Sequence, residues 1–402
     1  MMAAGRAAEL GASVVLIEKN PNLGKKLLLS GGGRGNISHA GLNNKQFAQK
    51  LGKNGQWLLS ALSLFGPAET IEFFKTRGLE IKTEQDGRVF PASDRSQDVL
   101  GVMSKYLKEN RVKLMLGKEV LSFEVANGNI ASAQTNEREF IAKAFILCVG
   151  GRAYPITGSS GQGHIWARQM GHKIIEPRPS LAPLKIKEDW VKKLQGVSLK
   201  NVGVALWQND KKQVAQSGDI IFTHFGLSGP VILDLSKSAG ELLAAGETVL
   251  KIDLMPALDS AALDKKLQTD FKRNKSFKNY LAESFPQRFG DWLAELTRIE
   301  ADKKVSSITR AEREKLLSAL KGLKLIVQGL PSFNEAIVTA GGVDLPEIDS
   351  RTMRSKIINN LFFAGEIIDL DGPTGGYNLQ MCWSTGRVAG ENAAKIKEIF
   401  DV

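Results

Sequence analysis

At 402 residues the chain is long enough for two or three domains around a sizeable core. It is 43% apolar and 24% charged, with no apolar run near the ~20 residues of a bilayer span and no apolar leader in residues 1–11, so neither a spanning helix nor a signal peptide is expected. Four histidines without ligand spacing argue against a zinc site. Cys148 and Cys382 lie far apart in apolar segments and read as buried free thiols, so a soluble cytoplasmic protein is expected.

Residues 1–11 are small and helix-forming, with Gly11 placed to end the helix. Val14, Val15, Leu16 and Ile17 then form a short strand that closes on Glu18. A dinucleotide-binding unit runs strand, glycine loop, helix, second strand, then an acid that holds ribose hydroxyls. Helix, second strand and acid are here; the first strand and its G-x-G-x-x-G are not in the sequence. Because Met1 falls inside the helix, a truncated start is the favoured expectation over a degenerate relative. An ordinary helix and strand of some other α/β protein is the alternative.

Residues 22–43 carry a basic pair, an apolar run and Gly31, Gly32 and Gly33 ahead of Arg34. Three consecutive glycines cost backbone entropy, which suits main chain lying flat against a planar or phosphorylated ligand; a surface loop is the plainer reading. Residues 56–80 read as helical, a second helix starts near Ser96, and residues 112–125, 129–133 and 137–142 alternate as strands do. Residues 144–149 are continuously apolar, as a central parallel strand would be. Gly150 and Gly151 follow, then a G-x-x-G-x-G loop over 158–163 and a helix through Met170. That loop suits an anion or flavin contact, or a structural turn.

Pro177, Pro179 and Pro183 punctuate a linker, and residues 184–252 read as short strands with turns. Residues 256–325 read as a helical insertion, in which Phe277, Leu281 and Phe285 recur at i, i+4 and i+8. Of the chain's net charge of +11, the stretch 265–321 supplies +6, from 14 Lys/Arg against 8 Asp/Glu. A nucleic-acid-facing surface and a solvated helical face are both consistent with it. Residues 333–343 read as a strand returning from the β-rich region. The most informative stretch is 361–390: a buried strand, Gly365 and Glu366, a turn with Gly372, Gly375 and Gly376, then a helix over 380–394. A carboxylate for sugar or ribityl hydroxyls, bare backbone and a helix start suit a long cofactor, or form a flexible strand-to-helix connection.

Taken together, GKKLLLSGGGRGN (24–36), GRVFPASD (87–94), VGGRAYPITGSSGQGH (149–164), RPSLAPL (178–184), FTHFGLSGP (222–230), TAGGV (339–343), TMRSK (352–356) and LFFAGEIIDLDGPTGGYNLQ (361–380) resemble the HI0933-like flavoprotein family. That family is also described as aminoacetone-oxidase-like or bile-acid-reductase-like NAD(P)/FAD-dependent oxidoreductases. The resemblance implies an α/β fold: a Rossmann-like FAD domain built from both chain ends (1–176 and 345–402), with an inserted β-rich domain (177–255 and 326–344). That domain itself carries the helical subdomain (256–325). By position it implies FAD contacts from Glu18, Lys26, Ser30, Gly31, Gly32, Gly33, Arg34, Asn36 and the backbone of Val120. Gly150, Gly151, Gly365, Glu366, Gly375, Gly376, Tyr377, Asn378 and Leu379 complete the implied set. The family's usual cysteine is Gly35 here, and its usual G-D-G is Gly161, Gln162 and Gly163.

In such an enzyme the isoalloxazine carries hydride chemistry, and backbone N–H groups from 376–379 would stabilise the reduced ring. His224 is the candidate proton donor, with a structural turn histidine as its alternative; Tyr154 and Tyr377 are weaker candidates. No second dinucleotide fingerprint exists, which leaves NAD(P)H binding transiently against the flavin, or another electron donor. Three functions are consistent with the sequence. The first is an FAD-dependent oxidoreductase of a small conjugated or amine substrate. The second is a flavin-dependent reductase of uridine to dihydrouridine in ribosomal RNA, which the basic insertion would contact. The third is an FAD-deficient, non-enzymatic remnant.

Overall fold

A computed structural model describes residues 1–396. The chain divides into two compact units, one from residues 1–180 joined to the C-terminal segment from Phe333, the other Leu181–Ser332.

In the first unit, the helix Met2–Glu9 ends as its composition predicts, with Gly11 left-handed just beyond it. The strand Val15–Glu18 pairs in parallel with Lys113–Leu116. The strands Phe145–Leu147 and Leu361–Phe363 form a second parallel pair. These are two separate two-stranded sheets among the described residues. The helix Tyr377–Ala393 packs against Met2–Glu9 so closely that a Cβ on Gly390 would collide with the Ala3 carbonyl oxygen. Arg6 fastens the pair through Glu391 at 2.9 Å. Phe362, Phe363, Ile367, Ile368 and Met381 are wholly buried in the core that these elements share. An antiparallel meander (Val120–Ala126, Asn129–Thr135, Glu139–Phe140) and a small sheet (Ile81–Thr83, Arg88–Pro91, Ser38–His39) complete the unit.

Three expectations are corrected here. The prolines at 177 and 179 lie in a strand, Ile174–Ser180, paired antiparallel with Val338–Val343. A two-stranded sheet is all edge, where a missing N–H costs little, and the register shifts between Ile175 and Arg178, around Pro177. Cys148 is a free thiol but is exposed, because it follows a strand with a partner on one edge only. Cys382 is half-buried, and burial pushes its thiol up to about 12.

In the second unit, six strands close into a barrel. Their order is Leu184–Ile186, Gly226–Ser228, Lys211–Phe222, Ser198–Gln208, Thr248–Asp253 and Leu323–Gly329, the last pairing back to the first. Leu206, Leu250, Ile252 and Leu325 fill it at 0% exposure. The insertion helices bury Leu263, Phe277, Phe289, Leu293 and Leu316 into the same core, and Trp190 stacks on Trp292 at 4.1 Å. Full burial of a side chain the size of Phe289 contributes about 2–3 kcal/mol.

Two further readings change in this unit. The segment expected to be strands throughout contains a 16-residue helix, Pro230–Ala245, with proline at its first position. Phe277, Leu281 and Phe285 do not share one helix: Phe277–Leu281 is a single short helix, and Pro286 precedes the next, Gln287–Thr297. Eight of the 14 basic residues in 265–321 pair with carboxylates, as Lys278 does with Asp302 and Arg313 with Asp264 at 2.6 and 2.8 Å, and the stretch keeps its net charge of +6.

Two outcomes test the barrel and its insertion. A Cβ at position 226 would collide with the Leu184 carbonyl oxygen at a barrel pairing. Gly226→Ala should therefore destabilise this unit by about 2–3 kcal/mol, read as a lower denaturant midpoint. Glu312 takes two hydrogen bonds from the Lys303 ammonium and caps the helix Arg310–Gly322 through the Thr309 N–H, which together lower its pKa to about 2. A depressed carboxyl stabilises the fold above its ordinary value of 4.5 and loses that contribution as pH falls towards 2. Glu312→Gln should lower stability at pH 7 and flatten the melting curve's dependence on pH between about 4.5 and 2.

Candidate functional site

The site is built at the C-terminal ends of the parallel strands, where open α/β sheets bind ligands. Leu361–Phe363 runs into Ala364, Gly365 and Glu366. Gly365 is left-handed, and its N–H donates to Thr385 Oγ1 at 3.0 Å, tying the strand end to the long helix behind it. The Glu366 side chain is 11% exposed and accepts from three donors. Lys26 Nζ reaches Oε2 at 2.7 Å, while the Thr339 N–H and hydroxyl reach Oε1 at 3.0 and 2.8 Å. Lys26 also donates to the Ala153 carbonyl at 3.3 Å. Gly151 must be glycine here, since a Cβ would collide with Thr339 Oγ1. Lys26, Gly151 and Glu366 are therefore brought together.

A second group forms at the glycine turn. Gly376 has φ +97°, and a Cβ there would collide with the Ser38 carbonyl oxygen. In the amide orientation that satisfies both ends, Asn36 accepts from the Gly376 N–H at 2.9 Å and donates to Ser38 O and Val89 O. Asn378 braces the turn from inside, accepting from the Gly372 N–H at 2.9 Å and donating to the Gly372 carbonyl at 2.8 Å. Tyr377 is buried between Phe47 and His39, each 4.8 Å away. The long helix starts at this point, so the first-turn N–H groups of Asn378 and Leu379 have no intrahelical acceptor.

The other expected residues are spread more widely. Glu18 ends its strand, and its Oε1 accepts the backbone N–H and side-chain amide of Asn20, both at 2.8 Å. Val120 lies close by in the chain, since the Lys118 N–H donates to the Glu18 carbonyl at 3.1 Å. Asn20 and Lys19 reach across to the loop after Gly150, at Thr157 O and Ser160 Oγ. Ser30 donates to Leu27 O, and Gly31, Gly32 and Gly33 are all left-handed and exposed. Arg34 faces another way: it pairs with Glu84 at 2.7 Å and lies over the Phe90 ring. His224 belongs to the second unit, exposed in the turn before Gly226–Ser228 and edge-on to Phe225.

Three residues that sequence reasoning missed stand at the site. Thr339, at 0% exposure, sits within TAGGV, a stretch noted only for its resemblance. His39 stacks on Tyr377 and points Nδ1 at the Gly375 carbonyl, 3.1 Å away. His164, on the first turn of the helix Gln162–Gln169, is 5% exposed with neither ring nitrogen hydrogen-bonded. Burial lowers its pKa, against the nearby Ile367 carbonyl and Glu366 charge, which favour protonation. No local spacing marks His164 or Thr339, whose partners are remote in the chain.

The donor set fits a long anionic cofactor with a planar end. Nothing stands within 4 Å of where a Cβ would project from Gly32 or Gly33, so their bare backbone is open to a ligand. Between Glu18 and Glu69 there are seven Lys/Arg and no acid, which favours a diphosphate. Glu18 Oε2 accepts nothing among the described residues and remains available to a ribose hydroxyl. Among those residues there is no group of three His, Cys, Asp or Glu that could hold a metal ion, and no helix long and apolar enough to cross a membrane.

Residues 1–392 match the family model described as the HI0933-like protein Rossmann domain. The 3-dehydro-bile acid delta(4,6)-reductase of Clostridium scindens is 30% identical over 387 residues, 96% of this chain and 93% of that one. The ribosomal RNA dihydrouridine synthase of Escherichia coli is 29% identical over 391 residues, with the same coverage of each. A solved 3-ketosteroid-delta4-(5alpha)-dehydrogenase from Rhodococcus jostii RHA1, in complex with 4-androstene-3,17-dione, shares the fold. Its TM-score is 0.52 at 14% identity, covering 98% of this chain and 94% of that one. The site geometry and these matches converge: the chain belongs to the HI0933-like family of Rossmann-fold, FAD-dependent oxidoreductases.

Proposed function

We propose that this enzyme reduces a carbon–carbon double bond conjugated to a carbonyl in a small molecule, with NAD(P)H as the electron donor. The observation that carries the reading is the Lys26–Glu366–Thr339 cluster beside the glycine turn: a polar frame in which the carboxylate is turned inward and satisfied and the lysine keeps one free N–H, with bare backbone next to it. The names of two relatives support the same reaction type, since a delta(4,6)-reductase and a dihydrouridine synthase each add two hydrogens to an unsaturated ring.

FAD, when bound, supplies the hydride that goes to the carbon β to the carbonyl. The chain's residues do the rest. Gly31, Gly32 and Gly33 with Glu18 would hold the cofactor's length, as Lys26, itself held by Glu366, would its ribityl region. The Asn378 and Leu379 N–H groups would stabilise negative charge at the ring. The α-carbon needs a proton, and His224, from the motif FTHFGLSGP, is the proposed donor.

A second reading, reduction of uridine to dihydrouridine in ribosomal RNA, has the same hydride and proton balance. The name of the Escherichia coli relative favours it. Ion pairing engages eight of the basic residues in 265–321, and a net charge of +6 remains there to meet phosphates.

Protein mixed with FAD and freed of excess should show a flavin band at about 450 nm, bleached by NADH or NADPH under anaerobic conditions. Reoxidation on adding a bile-acid-like enone supports the first reading. Reoxidation only on adding a uridine-containing RNA supports the second, and a colourless folded protein rules out both. His224→Gln should slow reoxidation by about a hundredfold while leaving the band intact. An unchanged rate would remove His224 from the mechanism.

A further inference from the structure

We propose that Thr339 is a positioning residue of the flavin site, acting through Glu366 to fix Lys26 as the cation presented to the cofactor. The inference rests on the flavin reading above. It starts from the valence of one hydroxyl, which can donate one hydrogen bond and accept two. Thr339 Oγ1 does all three: it donates to Glu366 Oε1 at 2.8 Å and accepts from the N–H groups of Arg152 and Ala153 at 2.8 and 3.0 Å. Its own backbone N–H adds a second donor to the same carboxylate oxygen.

This arrangement decides which charge faces the ligand. Glu366 has Oε1 occupied twice by Thr339 and Oε2 occupied by Lys26, so its carboxylate is turned inward and its side chain is 11% exposed. The Lys26 side chain is 29% exposed, and its ammonium has three N–H groups, of which Glu366 and the Ala153 carbonyl take two. The remaining N–H is the group left to meet a ribityl oxygen or the anionic edge of a reduced ring. Thr339 also fixes the Ala153 carbonyl indirectly, by holding the N–H of the same residue. One buried hydroxyl thus sets both partners of the lysine.

The side chain is specific for this task. Valine has nearly the same shape but strands two buried N–H groups and removes one donor from Glu366. Serine keeps every bond.

The test uses FAD-free and FAD-loaded full-length protein carrying Thr339→Val, Thr339→Ser or Glu366→Gln. The first readout is acylation of Lys26 by an N-hydroxysuccinimide ester, quantified by peptide mass spectrometry without FAD. The second is FAD affinity by quenching of flavin fluorescence. In the wild type the lysine is withheld by its two hydrogen bonds, to Glu366 and to the Ala153 carbonyl. Thr339→Val and Glu366→Gln should raise its acylation rate several-fold and weaken FAD binding about tenfold, with Thr339→Ser close to wild type in both. Should the valine protein not fold, Glu366→Gln decides, because it keeps the Thr339 contact and removes the charge and the oxygen that hold Lys26. Acylation and FAD affinity within twofold of wild type in the folded variants overturn the proposal. Wild-type protein that never takes up FAD, with Lys26 still withheld and still released by the substitutions, overturns the flavin reading and upholds the Thr339–Glu366–Lys26 arrangement.

Discussion

A carboxylate taken out of water must be given donors, and Glu366 shows how much structure that requirement organises. Its three donors come from Lys26 and Thr339, which lie 340 and 27 residues away in the chain. Through Thr339 it also reaches the turn at Arg152 and Ala153. An unpaired charge here would cost several kcal/mol, so the strand end, the glycine-loop lysine and the post-strand turn hold one another in place. The glycines nearby follow from the same crowding: Gly151 exists because Thr339 occupies the space of a Cβ.

Around that frame, the second layer of the site is built from close backbone approach. Ser38 and Gly376 meet so tightly that no side chain fits, and Asn36 completes the join by bonding to both. Charged groups then divide into two kinds. Those of the glycine loop, Lys26 and Arg34, pair with acids remote in the chain, whereas many in the insertion pair close by in sequence. Exposed pairs of that kind contribute roughly 0–1 kcal/mol each, and their main effect is to neutralise a field.

What could be read from the sequence was local. The strand Val15–Glu18 closing on an acid, and the run from Leu361 through the glycine turn into a helix, are contiguous patterns, and both occur where the periodicity put them. Neither Thr339 nor Arg34 could be assigned this way. The hydroxyl's partners lie 186 and 187 residues away, and the arginine looks like a ligand-loop residue until Glu84 is seen beside it. The helix Pro230–Ala245 was hidden by its β-branched and glycine-containing flanks. The pairing within 265–321 was hidden for a related reason: Arg313 finds Asp264 only after the chain has folded back on itself. His164 gave no signal at all, because its neighbours Ile367 and Glu366 lie about 200 residues further along the chain.

The pairing of Phe145–Leu147 with Leu361–Phe363 separates two neighbouring strands by more than 200 residues, with the whole barrel unit encoded between them. On a ribosome this reverses the usual order of completion. Residues 181–332 are contiguous and can close their barrel as soon as Leu323–Gly329 has emerged. The N-terminal residues, made first, keep an unpaired parallel strand and an uncovered face on Met2–Glu9 until Tyr377–Ala393 arrives. The longest-waiting surface in biosynthesis is therefore that of the first unit, whose apolar core stays open until its C-terminal helix has been made.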